Sequence, residues 1–128
     1  MINPTAQVYP TIPTGEWESR MSSDELRNKD FDLSNIDKVI HEPVRLSILA
    51  HLFVLDSADA LFLKNQMGLT WGNFSTHLKR LEEAGYIQVQ KEFVDRKPVT
   101  SYKLTEMGRE AFQNYREQMS GFFKELPG

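Results

Sequence analysis

The stretch GLTWGNFSTHLKRLEEAGYIQVQ, residues 68–90, predicts the central part of the fold. Threonine commonly caps the start of a helix and glycine commonly ends one, so a helix is expected from Thr70 to Ala84, with Gly85 as its stop. After Gly85, apolar and polar residues alternate, and this period of two residues predicts a half-buried strand. With successive residues rotated by about 100° around the helix axis, the inward face is expected to contain Trp71, Phe74, Leu78 and Leu81.

The opposite face of this helix has small residues near its N-terminal end and basic residues one turn later. A helix in the major groove of DNA needs this gradation, because small residues allow close approach and polar groups hydrogen-bond base edges. Glu82 and Glu83 would repel phosphate, so we place them away from DNA. Any amphipathic surface helix has a polar face, so this face alone leaves simple solvation open. The candidate contacts are Gly72, Asn73, Thr76, Lys79 and Arg80, flanked by Ser75 and His77.

Length and composition indicate one ordinary globular domain. The chain has 128 residues, of which 40% are hydrophobic and 26% charged, and it has no cysteine. Disulfides, zinc–thiolate sites and thiol catalysis are therefore excluded. No apolar run approaches the roughly 18 residues of a membrane span and no signal pattern is present, so we expect no membrane association and a cytoplasmic location.

The net charge of −3 conceals an uneven distribution. Residues 1–63 carry five Lys or Arg against ten Asp or Glu, whereas residues 64–103 carry seven against four. Residues 104–128 carry three against four. The basic segment therefore coincides with the predicted helix and strand, which is a modest indication of a polyanionic partner.

Residues 1–32 are expected to form a partly ordered arm, because four Pro and Gly residues interrupt them and no apolar period is sustained. Its apolar side chains suggest that it packs on the body or on a partner subunit. A helix is predicted over 33–40, capped by Asp32 or Ser34, and another begins near Pro43. The next helix is expected to be capped by Asp56 or Ser57 and to end at Gly68. Its predicted inner face is Leu61, Phe62 and Met67.

A hairpin follows the central helix, and a long helix follows the hairpin. The segments YIQVQKEFV and VTSYKL predict two strands, joined by a tip that contains Asp95, Arg96, Lys97 and Pro98. Thr105 is expected to cap the last helix, which extends to about Leu126. Its apolar residues recur in a heptad-like pattern that either closes the core or forms a dimer interface, and we favour the dimer. The predicted interface consists of Phe112, Tyr115, Met119, Phe122, Phe123 and Leu126, in line with Gly108.

Three segments resemble the winged helix-turn-helix transcriptional regulators of the MarR and ArsR type: IDKVIHEPVRLSILAHL, LKNQMGLTWGNFSTHLKRLEEAGYIQVQKEF and DRKPVTSYKLTEMGREAF. The resemblance covers about residues 33–115. It implies a mainly α fold with a small β-hairpin and N- and C-terminal helical extensions. The expected organisation is an arm over 1–32, a DNA-binding domain over 33–104 and a dimerisation helix over 105–128.

The resemblance also implies function. A homodimer is expected to bind double-stranded DNA in a sequence-specific way and to regulate transcription, most often as a repressor. Arg96 and Lys97 resemble the residues at the tip of the hairpin, or wing, that lie along the minor groove. Lys64 is either a phosphate contact or a free surface lysine. Arg45 resembles a position that supports the fold.

Other functions have weaker support in the sequence. The three histidines lack metal-ligand spacing and no catalytic motif is present, so we expect no metal, no cofactor and no enzyme activity. A protein-binding winged-helix module is the alternative from another class, motivated by the acidic first half. A ligand-gated regulator, with an effector pocket lined by Trp17, Tyr115 or Phe122, also stays open.

Overall fold

The computed structural model describes residues 32–127, so the predicted arm over 1–32 lies almost entirely outside the described residues. Within that range the chain forms four helices and a three-stranded antiparallel sheet, which confirms the predicted fold class. The elements are α1 (Pro43–Leu55), β1 (Ser57–Asp59), α2 (Ala60–Met67), α3 (Trp71–Glu83), β2 (Ile87–Val94), β3 (Lys97–Leu104) and α4 (Glu106–Lys124).

The helix predicted over 33–40 is wrong, because this segment forms turns. The Asp37 carboxylate accepts hydrogen bonds from the backbone N–H groups of Val39 and Ile40, at 2.9 and 3.2 Å. Aspartate side chains that bind nearby backbone groups in this way compete with helical hydrogen bonding. The apolar residues of this segment are nevertheless buried, since Ile36 and Ile40 both lie in the core.

Helix α1 begins at Pro43, as predicted. The Glu42 side chain caps it by accepting a hydrogen bond from the Arg45 N–H at 2.8 Å. Ile48, Leu49 and Leu52 lie on the inner side of α1 and are fully buried.

The predicted start of the second helix is wrong. Strand β1 occupies residues 57–59, and Asp59 caps α2 by accepting from the N–H groups of Leu61 and Phe62. Because the helix begins later, Ala60 and Leu63 face the core, whereas Leu61 and Phe62 are exposed. Gly68 ends α2 in the left-handed conformation, as predicted.

The sheet has the order β1-β3-β2 and contains the predicted hairpin. The hairpin runs from the buried pair Ile87 and Leu104 to the pair Val94 and Lys97. The tip therefore contains only Asp95 and Arg96, two residues fewer than predicted. Pro98 lies in β3 opposite Phe93, beyond the three residues that β1 pairs with, so its missing N–H costs no hydrogen bond to β1.

Helix α4 begins after Thr105 and packs its first half on the core, which lies between the helices and the base of the sheet. In residues 32–127, no helix combines the length and the apolar character that crossing a membrane requires. The side chains buried most completely are Ile40, Ile48, Leu49, Leu52, Leu63, Phe74 and Leu81.

Candidate nucleic-acid interface

Helix α3 separates an inward and an outward face almost as predicted. Phe74, Leu78 and Leu81 are buried against the preceding helices. The outward candidates are all exposed: Gly72, Asn73, Ser75, Thr76, Lys79 and Arg80.

The first turn of α3 is unobstructed. The Thr70 hydroxyl caps the helix by accepting a hydrogen bond from the Asn73 N–H at 3.2 Å. A Cβ atom added to Gly72 would meet no heavy atom within 4 Å. Thr76 donates its hydroxyl hydrogen to the Gly72 carbonyl at 2.9 Å, which leaves the oxygen lone pairs available as acceptors.

His77, a flanking candidate, points instead toward the N-terminus of α1. Its Nδ1 lies 3.2 Å from an Arg45 guanidinium nitrogen and 3.4 Å from the Glu42 carboxylate. Arg45 also donates to the Val39 carbonyl at 2.5 Å, in agreement with its predicted role in the fold. His77 therefore connects α3 to α1, and its imidazole lies behind the outward face rather than on it.

The Glu42 carboxylate at this connection is held in its charged form. Partial burial raises its pKa, but the hydrogen bonds from the Arg45 and Val44 N–H groups and the charges of His77 and Arg45 lower the pKa further, below the ordinary value. The N-terminus of α1 thus carries a negative charge, which interacts favourably with the positive end of the helix dipole.

The wing extends away from the core. Both tip residues have positive φ, 53° at Asp95 and 66° at Arg96, a combination that matches the type I′ turn of a two-residue hairpin. All residues from Lys91 to Pro98 are exposed, including the apolar Phe93 at 80%. The candidates Arg96 and Lys97 therefore lie at the far end of the wing.

Trp71 was predicted on the inward face, and that prediction is wrong. Its side chain is 51% exposed. Its ring meets Phe74 edge-on, with centroids 6.1 Å apart, and the Lys64 ammonium lies 5.2 Å from the Trp71 ring centroid. Helical periodicity could not have found this arrangement, because Lys64 belongs to the preceding helix.

A compact junction connects the end of α3, the wing and α4. The Thr105 hydroxyl donates to the Gly85 carbonyl at 2.5 Å and accepts from the Gly108 N–H at 2.9 Å. Gly108 lies directly on the backbone of Tyr86: an added Cβ would be 2.0 Å from the Tyr86 carbonyl oxygen. The orientation of the wing is therefore fixed relative to α4.

The Tyr86 hydroxyl extends the junction to the N-terminal turns by donating to the Asp37 carboxylate. Burial, together with this carboxylate, raises the pKa of Tyr86 to about 12. A cleft of about 470 Å³ opens beside it. Its largely polar walls are formed by Asn35, Asp37, Tyr86, Ala111, Asn114, Glu117 and Gln118. Tyr115 and Phe122, which the ligand-gated alternative would place in an effector pocket, do not line this cleft.

The apolar residues of α4 divide into two groups. Phe112 and Tyr115 are buried in the protomer's own core, where Phe112 packs on Phe53 with centroids 5.2 Å apart. The Tyr115 hydroxyl is 2.8 Å from His41 Nδ1, and burial raises the Tyr115 pKa. Toward the C-terminus the apolar side chains become accessible: Met119 and Phe122 are partly buried, and Phe123 and Leu126 are exposed.

The chain is similar to known proteins in both sequence and fold. A family model described as a winged helix DNA-binding domain matches residues 44–123. An uncharacterised protein of Methanocaldococcus jannaschii is 40% identical over 78 residues, which cover 61% of this chain and 85% of the relative.

Solved structures agree with that match. A transcriptional regulator homologue from Pyrococcus horikoshii OT3 superposes with a TM-score of 0.67 at 28% identity, over 73% of this chain and 97% of that one. The transcriptional regulator BldR from Sulfolobus solfataricus superposes with a TM-score of 0.54 at 21% identity, over 88% of this chain and 76% of that one, and it shares the fold.

Proposed function

This chain belongs to the winged helix DNA-binding domain family, and on that premise we propose that it is a homodimeric, sequence-specific regulator that represses transcription. The resemblance to winged helix-turn-helix regulators is confirmed at the level of the family and the fold. Double-stranded DNA is the partner that this family membership supports. A dimer bound within a promoter would exclude the transcription machinery, so repression is the expected outcome.

The observation that carries the proposal is the unused outward face of α3. The side chains of Asn73, Lys79 and Arg80 are exposed and make no hydrogen bond or ion pair with the rest of residues 32–127. The fold itself therefore does not require their polar groups. Asn73 is the residue suited to a base edge, since an amide can form two hydrogen bonds to adenine. The two cations suit phosphates, which position a protein on the duplex.

The wing supplies the second contact. Arg96 adopts a positive φ of 66°, where a glycine or an asparagine would be less strained. Arginine at such a position is understandable if its charge is needed at the tip. A wing beside α3 in the major groove would bring Arg96 and Lys97 to the adjacent minor groove, whose negative potential attracts arginine.

A salt titration tests DNA binding directly. The full chain should bind a labelled duplex of random sequence at low salt, and its affinity should fall steeply as salt rises, because each neutralised phosphate contributes a slope of about −0.9. No measurable affinity at low salt would contradict the proposal.

Two variants separate the contributions of the helix and the wing. Asn73→Ala should change the sequences recovered by selection from a random duplex pool, because it removes a base contact. Arg96→Gly should weaken binding to all sequences alike and reduce the salt slope by about one. The fold should tolerate Arg96→Gly, since glycine relieves the positive φ. If both variants bind and select as the wild type does, this surface is not the DNA interface.

The second half of α4 supports the dimer. Phe123 is 62% exposed and meets Phe122 edge-on, with centroids 5.3 Å apart, while Leu126 lies nearby in sequence and is also exposed. An accessible apolar cluster at the end of a helix is suited to a two-fold contact, which would double the DNA contacts and favour half-sites about 10 bp or a multiple apart.

Sedimentation of Phe123→Glu tests this contact. The variant should be monomeric and should bind DNA more weakly, because a carboxylate would be desolvated in the interface. Met107→Glu is the matched control, since Met107 is 59% exposed on the first turn of the same helix. Equal oligomeric states of both variants and the wild type would contradict the proposed interface.

A protein-binding module is the second candidate, and the exposed Phe93 and Val94 on the wing favour it. A contact of this kind depends on apolar burial and changes little with salt, whereas DNA binding weakens sharply with salt. The same titration therefore distinguishes the two functions.

A further inference from the structure

Trp71 occupies a position that the core does not explain. The other apolar residues of α3 are buried, yet this large side chain lies half-exposed at the first residue of the helix. The edge-on contact with Phe74, whose own side chain is fully buried, fixes the orientation of the indole ring. Trp71 directly precedes Gly72 and Asn73 in the first turn of α3.

Lys64 lies over the indole ring of Trp71. Its ammonium nitrogen is 5.2 Å from the ring centroid, within the range of a cation–π contact. The Lys64 backbone is also fixed, because its carbonyl accepts the Leu69 N–H at 3.2 Å in the turn after α2. Both ends of this side chain are therefore held, so the ammonium group loses less conformational freedom when it binds a ligand.

The aromatic contact holds Lys64 without neutralising it. Arg45 and Arg109, by contrast, form ion pairs with Glu42 and Asp56. Within residues 32–127, Lys64 has no carboxylate partner. Its full positive charge is thus available beside the N-terminal end of α3.

We infer that Lys64 contacts a DNA phosphate and that Trp71 is a positioning residue that holds the Lys64 ammonium at the rim of the major groove. The inference rests on the proposed function, in which the first turn of α3 enters that groove. Phosphates line the rim of the groove, and an ammonium group binds them as a point charge. Trp71 thereby extends the DNA interface from α3 to α2.

The salt dependence of binding tests the contact. With a labelled duplex of random sequence, Lys64→Ala should weaken binding. The affinity advantage of the wild type over the variant should decrease as salt rises, because the variant has lost one phosphate contact. Over a roughly fourfold rise in salt concentration this advantage should become about 3.5-fold smaller. Lys64→Arg should preserve binding, because it keeps both the charge and the aromatic contact. Lys38→Ala is the matched control, since Lys38 is exposed in the turns before α1 and lies outside α3, the wing and the proposed dimer interface, and it should bind as the wild type does.

A double-mutant cycle tests the role of Trp71. Trp71→Leu should weaken DNA binding, whereas Trp71→Phe should weaken it less because an aromatic face remains. In the Lys64→Ala background, Trp71→Leu should have no further effect, since the residue acts through Lys64. Thermal unfolding of each variant checks that the fold is retained.

Two results would overturn the inference while the proposed function stands: a Lys64→Ala variant with the affinity and salt slope of the wild type, or effects of Lys64→Ala and Trp71→Leu that add in the double variant. A wild-type chain without salt-sensitive affinity for duplex DNA would instead contradict the proposed function itself, and the inference with it.

Discussion

Helices α3 and α4 begin in nearly the same way and end up in opposite environments. Each is capped by a threonine, Thr70 or Thr105, whose hydroxyl accepts a hydrogen bond from the N–H three residues later. Each has a glycine in its first turn. Gly108 of α4 lies on the Tyr86 backbone, whereas Gly72 of α3 has no heavy atom within 4 Å of its Cβ direction.

This difference distinguishes two reasons for a glycine. The packing of α4 against the start of the wing requires Gly108, because no side chain fits there. Nothing in residues 32–127 requires Gly72, and glycine in a helix is less stable than alanine. In the proposed complex with DNA, close approach to the backbone or to a base edge would give Gly72 a function that the fold does not supply.

Gly108→Ala should have the largest effect, a loss of about 3 kcal/mol in the free energy of unfolding. The added methyl group would lie 2.0 Å from the Tyr86 carbonyl oxygen, so α4 or the wing must shift. Helix propensity alone predicts a gain in stability of about 1 kcal/mol. The sign of the change in unfolding free energy therefore shows whether the steric clash or the propensity dominates. Denaturant unfolding measures it, and a stabilised variant would show that α4 does not pack this closely on Tyr86.

Thr105→Ala should cost about 2 kcal/mol, and Thr70→Ala about 1 kcal/mol. Both lose a helix cap, but only Thr105 also donates to the Gly85 carbonyl, which would be left without that donor in a partly buried junction. The two variants are matched controls for each other in the same unfolding experiment. Equal losses would contradict the special role of the junction.

Gly72→Ala should raise the free energy of unfolding by about 0.5–1 kcal/mol, because alanine favours the helix and the site is open. The same variant should bind duplex DNA more weakly, since the methyl group blocks close approach. Denaturant unfolding measures the gain in stability, and a DNA titration measures the loss in affinity. A variant that is both more stable and equally tight in binding would remove the functional reason for glycine here.

Glu42→Gln should have the smallest effect, about 0.3–1 kcal/mol, through loss of a negative charge at the N-terminus of α1. The folded-state pKa of Glu42 lies below its ordinary value of 4.5, so the charge stabilises the fold above that value. The benefit disappears as pH falls through the folded-state pKa. Unfolding at pH 7 should therefore separate the variant from the wild type, and unfolding at acid pH should not.

Local sequence signals predicted the starts of α1, α3 and α4 and the end of α2. Pro43 after Glu42, Gly68, Thr70 and Thr105 act through their own backbone and side-chain chemistry, which needs no distant partner. The inward face of α3 was predicted for the same reason, except at Trp71. The outward face of α3 was predicted from residue type and spacing, whereas Arg96 and Lys97 were predicted from the resemblance to winged helix-turn-helix regulators. Their contacts with DNA stay predictions.

The error at the start of α2 arises because distant residues intervene. Strand β1 exists because Ser57–Asp59 pair with Ser101–Lys103, more than forty residues later, and no local pattern indicates this pairing. The strand moved the start of α2 and exposed Leu61 and Phe62. The error at 33–40 has a local cause instead: the apolar period was that of a helix, but the Asp37 carboxylate accepts the backbone hydrogen bonds of Val39 and Ile40.

Most of the helices, the hairpin and several helix ends could be predicted from the sequence, because caps, breakers and periodicity act over a few residues. The two polar surfaces that we propose as DNA contacts were also predicted there. The packing of distant elements sets which half of α4 belongs to the core, why Gly108 has no room for a side chain and where Lys64 and Trp71 meet. Those features depend on contacts between elements distant along the chain, and the free energy of such contacts depends on atomic fit rather than on residue type.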